Sequence, residues 1–206
     1  MADQMTGLLS GWLRRRRLDK ADPYLRGRVL DYGCGVGMLA SYCTREGYLG
    51  VDIDGPSLEI ARARHPGYRF ATVLPPGRER FDTIVALAVI EHVPRPAALL
   101  RQFARRLEPD GTIILTTPHP SLEWVHTLGA SIGLFSSEAS EEHEELIDLR
   151  RMRELGDEAR LTVQTYERFL FGANQLFVLG HGAARGRGED VEPLHEKADA
   201  AEEEQV

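Results

Sequence analysis

Two aspartates, three alternating glycines and two histidines are the residues in this chain whose types and spacing could do chemistry. Asp31, Gly33, Gly35 and Gly37 lie in RVLDYGCGVGMLA, residues 28–40, where a short apolar run ends in an acid and glycine then takes every second position. A strand, tight turn and helix start of this kind brings backbone against a ligand, because a Cβ at Gly33 or Gly35 would occupy the ligand's space. A pyrophosphate loop spaces its glycines as G-x-G-x-x-G at a helix N-terminus. Here the spacing is D-x-G-x-G-x-G, and the charge of Asp31 at the strand end repels phosphate and attracts an ammonium. The ligand should therefore carry a cation. In YLGVDID, residues 48–54, Asp52 holds the position from which a carboxylate accepts two hydrogen bonds from ribose hydroxyls, and Ile53 lies beside it for the base. Asp54 reads as the N-cap of a helix from Pro56 or Ser57 onward. His92 and His119 each follow an apolar run, at the edge where open α/β sheets bind ligands, and imidazole accepts a proton near neutrality.

These side chains need strands and helices to hold them. Thr83–Val89, within FDTIVALAVIEHVPRP, is a continuous apolar run suited to a buried parallel strand. Leu99, Leu100, Phe103 and Leu107 recur at helical spacing, followed by the turn Glu108-Pro109-Asp110-Gly111 and a strand over Thr112–Thr116. Leu161–Phe169 and Gln175–Leu179 read as the last two strands, turned at Gly172 and Asn174. Gly7–Lys20 predicts a helix that packs Leu8, Leu9, Trp12, Leu13 and Leu18 on the domain and leaves Arg14–Arg17 in solvent. Pro118–Leu149 exceeds an ordinary connection, which predicts one or two short helices, the second starting near Ser140. Beyond Gly180 the composition turns to Gly, Ala and Glu with few apolar residues, which predicts a disordered acidic tail over residues 181–206.

The landmarks resemble, in order and spacing, those of class I S-adenosylmethionine-dependent methyltransferases of the small-molecule, ubiquinone-biosynthesis-like type. VLDYGCGVG looks like that family's first motif, FDTIVALAVIEHVPRP like its fourth-strand motif, and the Glu108–Gly111 turn like its entry to strand five, with Asp110 in place of a glycine. The resemblance implies one α/β domain over residues 1–180, with 1–22 as a lid helix and 118–149 as a substrate-side insert. Its core would be a Rossmann-like seven-stranded, mostly parallel sheet with helices on both faces and an antiparallel final strand. It implies S-adenosylmethionine as cofactor, held by Asp31, Gly33, Cys34, Gly35, Asp52, Ile53, Thr72 and Leu87. The implied reaction is methyl transfer to a small-molecule acceptor, with oxygen as the first choice and His92 and His119 as candidate catalytic residues. An acid that often follows the family's third strand is missing here, where RFATVL leaves Thr72 or a backbone carbonyl to meet the adenine amino group. Methylation of a macromolecule is the competing activity, but no Asn/Asp-Pro-Pro-Tyr/Phe sequence follows strand four. A non-catalytic cofactor-binding protein is the other alternative, and the intact Asp31, Gly33, Gly35 and Asp52 argue against it.

At 206 residues and 42% hydrophobic the chain can bury one full core and has no room for a second large domain. A net charge of -7 gives no global basic field, which disfavours a nucleic-acid partner. Cys34 and Cys43 lack disulfide or zinc spacing and suit a reducing cytoplasm. No run of 18 apolar residues suggests membrane insertion. His119, His126 and His143 match no compact metal motif, so no metal is expected. Glu91 reads as a structural hydrogen-bonding residue, and a homodimer is compatible with the sequence.

Overall fold

Apolar runs buried on both faces become the strands of one sheet. In the computed structural model, which describes residues 2–77, 79–120 and 147–182, these are β1 (Val29–Tyr32), β2 (Tyr48–Val51), β3 (Arg69–Ala71), β4 (Phe81–Leu87) and β5 (Leu107–Pro118). The closing hairpin is β6 (Leu161–Phe169) and β7 (Asn174–His181). The order across the sheet is β3-β2-β1-β4-β5-β7-β6. The β5–β7 and β6–β7 pairs are antiparallel and the others parallel, as the sequence predicts.

Successive side chains of a strand point to opposite faces, and the core divides accordingly. Leu30, Leu49, Ile84, Ile113 and Phe177 pack under α3 (Pro96–Ala104) and α4 (Leu149–Ala159), which contribute Leu99, Phe103, Met152 and Leu155. On the opposite face Val29, Tyr48, Val85, Ile114 and Val178 lie against Leu39 and against Leu18 of α1 (Ala2–Ala21). α2 (Gly55–Arg64) starts at Asp54, whose carboxylate accepts from the Ser57 N–H at 3.3 Å, as the N-cap reading requires. Strand order reverses between β1 and β4, so a crevice opens there at the carboxyl edge, the usual ligand position in an open α/β sheet.

Several local expectations change. The chain after Gly37 forms a short 3-10 helix, Met38–Tyr42, with Cys43 as its extended C-cap rather than part of a full helix. α3 ends at Ala104, before Leu107. The Glu108–Gly111 turn sits inside β5: Phe81 pairs with Leu107 and Thr83 with Thr112, so the sheet absorbs the turn as an irregularity. Trp12 is 49% exposed, with the Arg16 guanidinium 5.9 Å from its ring centroid, and Leu13 and Leu18 do the packing instead. Helix α4 was not anticipated, although Met152, Leu155 and Ala159 bury one face at helical spacing and Asp148 caps the Arg151 N–H at 2.7 Å. β7 runs on to His181, past Leu179. The helices expected within 118–149 and the tail expected from 181 fall almost entirely outside the described residues.

The first helix is fastened to the last hairpin. Arg17 Nε donates to Asn174 Oδ1 at 3.1 Å, and Lys20 forms an ion pair with Glu167. α1 therefore lies on the sheet face beside the carboxyl ends of β5 and β6 and the amino end of β7.

Candidate active site

The glycine loop leaves β1 with backbone signs that most side chains resist: φ is +80° at Gly33, +49° at Gly35 and +77° at Gly37. The first two are required for different reasons. A Cβ on Gly33 would lie 2.4 Å from Val89 Cγ2, so protein packing, not ligand space, excludes a side chain there. A Cβ on Gly35 would meet nothing within 4 Å, which leaves an open approach to backbone as a bound ligand needs. The turn is pinned by Val51, whose carbonyl accepts from the Gly33 and Cys34 N–H groups at 2.7 and 3.1 Å. Cys34 turns its side chain inward, so that a Cβ on Gly50 would stand 2.9 Å from Cys34 Sγ. Burial and the nearby Asp31 and Asp52 carboxylates push this thiol far up.

The two aspartates occupy distinct environments. Asp52 is half-buried beyond β2 and accepts from the Gly35 N–H at 2.7 Å and from the Asp54 N–H at 2.9 Å. It ties the glycine loop to the start of α2. Asp31 is buried within β1 and receives a 2.7 Å hydrogen bond from the Tyr48 hydroxyl. Burial raises its pKa to about 7; the Tyr48 bond opposes that rise and the Asp52 charge adds to it. Asp31 is thus more enclosed than a carboxylate waiting at a strand end, and its negative charge is incomplete at neutral pH. Tyr48 had no assigned role in the sequence reading, and nothing local marks it: its register partner is Val29, and the contact comes from sheet pairing.

Beside Asp52 the edge is apolar and open. Ile53 is 91% exposed and Val73 is 68% exposed, each two residues beyond the paired rung Val51–Ala71. Thr72 lies between them on an exposed bend. Leu87 ends β4, half-buried, next to Ala88, which has a φ of +55° and donates its N–H to Thr116 O at 2.8 Å. Exposed aliphatic side chains flanking a carboxylate and an accessible glycine backbone suit an adenosine: a flat apolar base with a diol beside it.

On the other side of the switch point, β4 and β5 deliver His92 and His119 to the same edge. His92 ends the 3-10 helix Ile90–His92 and is exposed. His119 follows β5 and donates its backbone N–H to Ala173 O at 2.9 Å, which locks it to the hairpin. Its imidazole pKa is lowered, first by burial and then by Arg168, against Asp148, so it is held neutral at pH 7. Next to His92 in the same 3-10 helix stands Glu91, which is only 8% exposed. Its carboxyl receives the Thr117 hydroxyl hydrogen bond, while Oε2 has no hydrogen-bond partner. Burial raises its pKa; His92 and Arg17 pull it back. Among the described residues no group of three His, Cys, Asp or Glu is placed to hold a metal ion.

Comparison with known proteins agrees with this layout. Residues 1–166 match the family described as a methyltransferase domain. A ubiquinone biosynthesis O-methyltransferase of Vibrio campbellii is 30% identical over 161 residues, which cover 70% of this chain and 68% of that protein. One from Neisseria meningitidis serogroup C is 36% identical over 117 residues, 49% of each chain. The chain thus spans about two thirds of the first relative and about half of the second. Among solved structures, an S-adenosylmethionine-dependent methyltransferase from Clostridium acetobutylicum superposes with a TM-score of 0.61 at 13% identity, covering 80% of this chain and 89% of that one. Another, from Mesorhizobium loti, gives 0.60 at 17% identity, covering 79% and 94%. With the family match, the sheet order and the open glycine loop in agreement, the chain belongs to the class I S-adenosylmethionine-dependent methyltransferases, and S-adenosylmethionine is its cofactor.

Proposed function

We propose that this protein methylates a hydroxyl oxygen of a small molecule in the cytoplasm. The observation that carries the reading is the pair of unlike half-sites at one sheet edge: an open glycine loop with Asp52 on the β1–β2 side, and buried polar groups on the β4–β5 side. S-adenosylmethionine, when bound, supplies a methyl group already activated on a sulfonium. The protein's task is therefore placement, exclusion of water and acceptance of a proton. Gly33, Cys34 and Gly35 offer backbone, Asp52 the diol contact, Ile53, Thr72 and Leu87 the walls for the base, and Asp31 the charge for the amino end. His92 and His119 flank the acceptor. The two relatives named as O-methyltransferases support oxygen as the accepting atom. The net charge of -7 speaks against a nucleic-acid acceptor. Two free cysteines, one of them buried, support the cytoplasmic assignment, and no helix among the described residues is long and apolar enough to cross a membrane.

Two results test this. Asp52→Ala should weaken S-adenosylhomocysteine binding at least fivefold, because one lost hydrogen bond costs about 1 kcal/mol. Calorimetry reads the change, and wild-type affinity in the variant would remove Asp52 from the site. His119→Ala should lower methyl transfer while leaving cofactor affinity within about threefold, since its loss falls on acceptor positioning. Equal losses of binding and turnover would move His119 to the cofactor side.

A further inference from the structure

Glu91 is an ionisable group that the sequence reading treats as structural and that the structure leaves incompletely partnered. It is enclosed at the carboxyl edge of β4, one oxygen meets the Thr117 hydroxyl from the end of β5, and Oε2 has no hydrogen-bond partner among the described residues. An enclosed polar atom with no partner costs about 1 to 3 kcal/mol, a cost that a hydrogen-bonding ligand at this edge would remove. A guanidinium stands nearby: Arg17 reaches in from α1, donates its Nε–H to Asn174, and lies within electrostatic reach of Glu91. The groups facing Glu91 are thus Arg17 from α1, Thr117 from β5 and His92 on its own 3-10 helix.

We propose that Glu91 receives the acceptor's hydroxyl group and takes its proton during methyl transfer, with Arg17 holding the developing negative charge on the acceptor oxygen. This deepens the reading of an oxygen acceptor and rests on it. The step balances as follows. The hydroxyl hydrogen-bonds to Oε2; as the oxygen forms its bond to the methyl carbon, the carbon–sulfur bond breaks and its electron pair stays on sulfur. The acceptor's proton ends on the Glu91 carboxylate. A carboxyl lifted by burial toward the working pH is a better base than an exposed one, because its proton affinity approaches that of the group it serves. The acceptor class that fits an enclosed carboxylate base is an acidic hydroxyl, a phenol or enol, because it gives up its proton to a carboxylate at lower cost than an alcohol does.

The test uses the full chain with a panel of phenol, catechol and 4-hydroxybenzoate, labelled S-adenosylmethionine for turnover, and S-adenosylhomocysteine for calorimetry. Wild type should methylate at least one panel member on oxygen. Glu91→Gln, which keeps size and hydrogen bonding, should bind S-adenosylhomocysteine within about threefold of wild type and lose at least 100-fold in turnover, the range of a general base. Its kcat/KM should also lose the acid-side rise that wild type shows. Thr117→Val removes one hydrogen bond to the carboxylate and should move that rise to higher pH with the plateau within about threefold, an effect that loss of packing alone would not give. Should Glu91→Gln fail to fold, the Thr117→Val profile decides. Turnover of Glu91→Gln within threefold of wild type, an unmoved acid limb in Thr117→Val, or no hydroxyl methylated by a wild type that binds S-adenosylhomocysteine would each overturn the proposal. Absence of S-adenosylhomocysteine binding in wild type would overturn instead the cofactor reading beneath it.

Discussion

Replacing Gly33 by alanine is expected to destabilise the fold by about 2 to 5 kcal/mol, the sum of a left-handed backbone imposed on a non-glycine residue and an overpacked contact. The Cβ lands 2.4 Å from Val89 Cγ2 at a φ of +80°. Val89 cannot readily withdraw, since Ala88 before it already holds a φ of +55° with its N–H bonded to Thr116, and Ile90 after it is buried. Gly35→Ala is the matched control. Its φ of +49° carries the backbone cost alone, about 1 to 2 kcal/mol, because no heavy atom lies within 4 Å of its Cβ. The two variants should therefore part company: Gly33→Ala loses stability first, whereas Gly35→Ala keeps most of its stability and loses S-adenosylhomocysteine affinity by tenfold or more, about 1.4 kcal/mol. Urea unfolding and calorimetry on both decide it. Gly33→Ala within 1 kcal/mol of wild type would show that the Val89 contact relaxes without cost.

Asp31 gives the chain a pH dependence opposite to that of an ordinary salt-bridged carboxylate. Its folded pKa, about 7, lies above the ordinary aspartate value of 3.8, so the folded protein holds a proton that the unfolded chain releases. The resulting stabilisation is complete below pH 3.8, shrinks as pH rises and is gone above 7. Between pH 5 and 8 this one group should remove about 3 kcal/mol of stability. Asp31→Asn should flatten that part of the profile, and the difference between wild type and variant should fall as pH rises. Urea midpoints at pH 5, 6, 7 and 8 measure it, and parallel profiles for the two proteins would mean that Asp31 is already ionised in the fold. Saturating S-adenosylhomocysteine should also flatten the wild-type curve, because an ammonium next to the carboxylate lowers its pKa.

What the sequence reveals and what it hides divide along the range of the interactions. The β6 boundaries and the Asp54 cap depend on neighbours within a few residues, and each appears where its pattern places it, whereas β4 runs over Phe81–Leu87, two residues ahead of the apolar run Thr83–Val89, because the chain turns at Ala88. The glycine spacing likewise identifies a backbone-exposing loop, but only the folded chain shows that Gly33 yields to Val89 rather than to a ligand. Trp12 reads as a core residue because an amphipathic pattern does not say how wide the covered stripe is; Leu13 and Leu18 fill it, and the indole is left beside Arg16. Glu91, Arg17, Thr117 and Asn174 share no motif. Four separate segments bring them together, and their meaning comes from burial, which one sequence does not print. Helix α4 is a different case: its capping aspartate and its Met152, Leu155, Ala159 stripe were legible and were passed over in favour of the strands around it.

The hydrogen bond from Arg17 to Asn174 joins residues 157 positions apart. Seen as a sequence of events on a growing chain, this separates the two halves of the site in time. The half proposed to hold the cofactor, from β1 through β4, is synthesised before the middle of the chain. The acceptor side waits for β7, the last strand of the sheet, which must insert beside β5 before α1 has an anchor to fold down on. Contacts of such long range are slow to form and are made late. The half proposed to hold the methyl donor is thus complete in the chain well before the half proposed to face the acceptor.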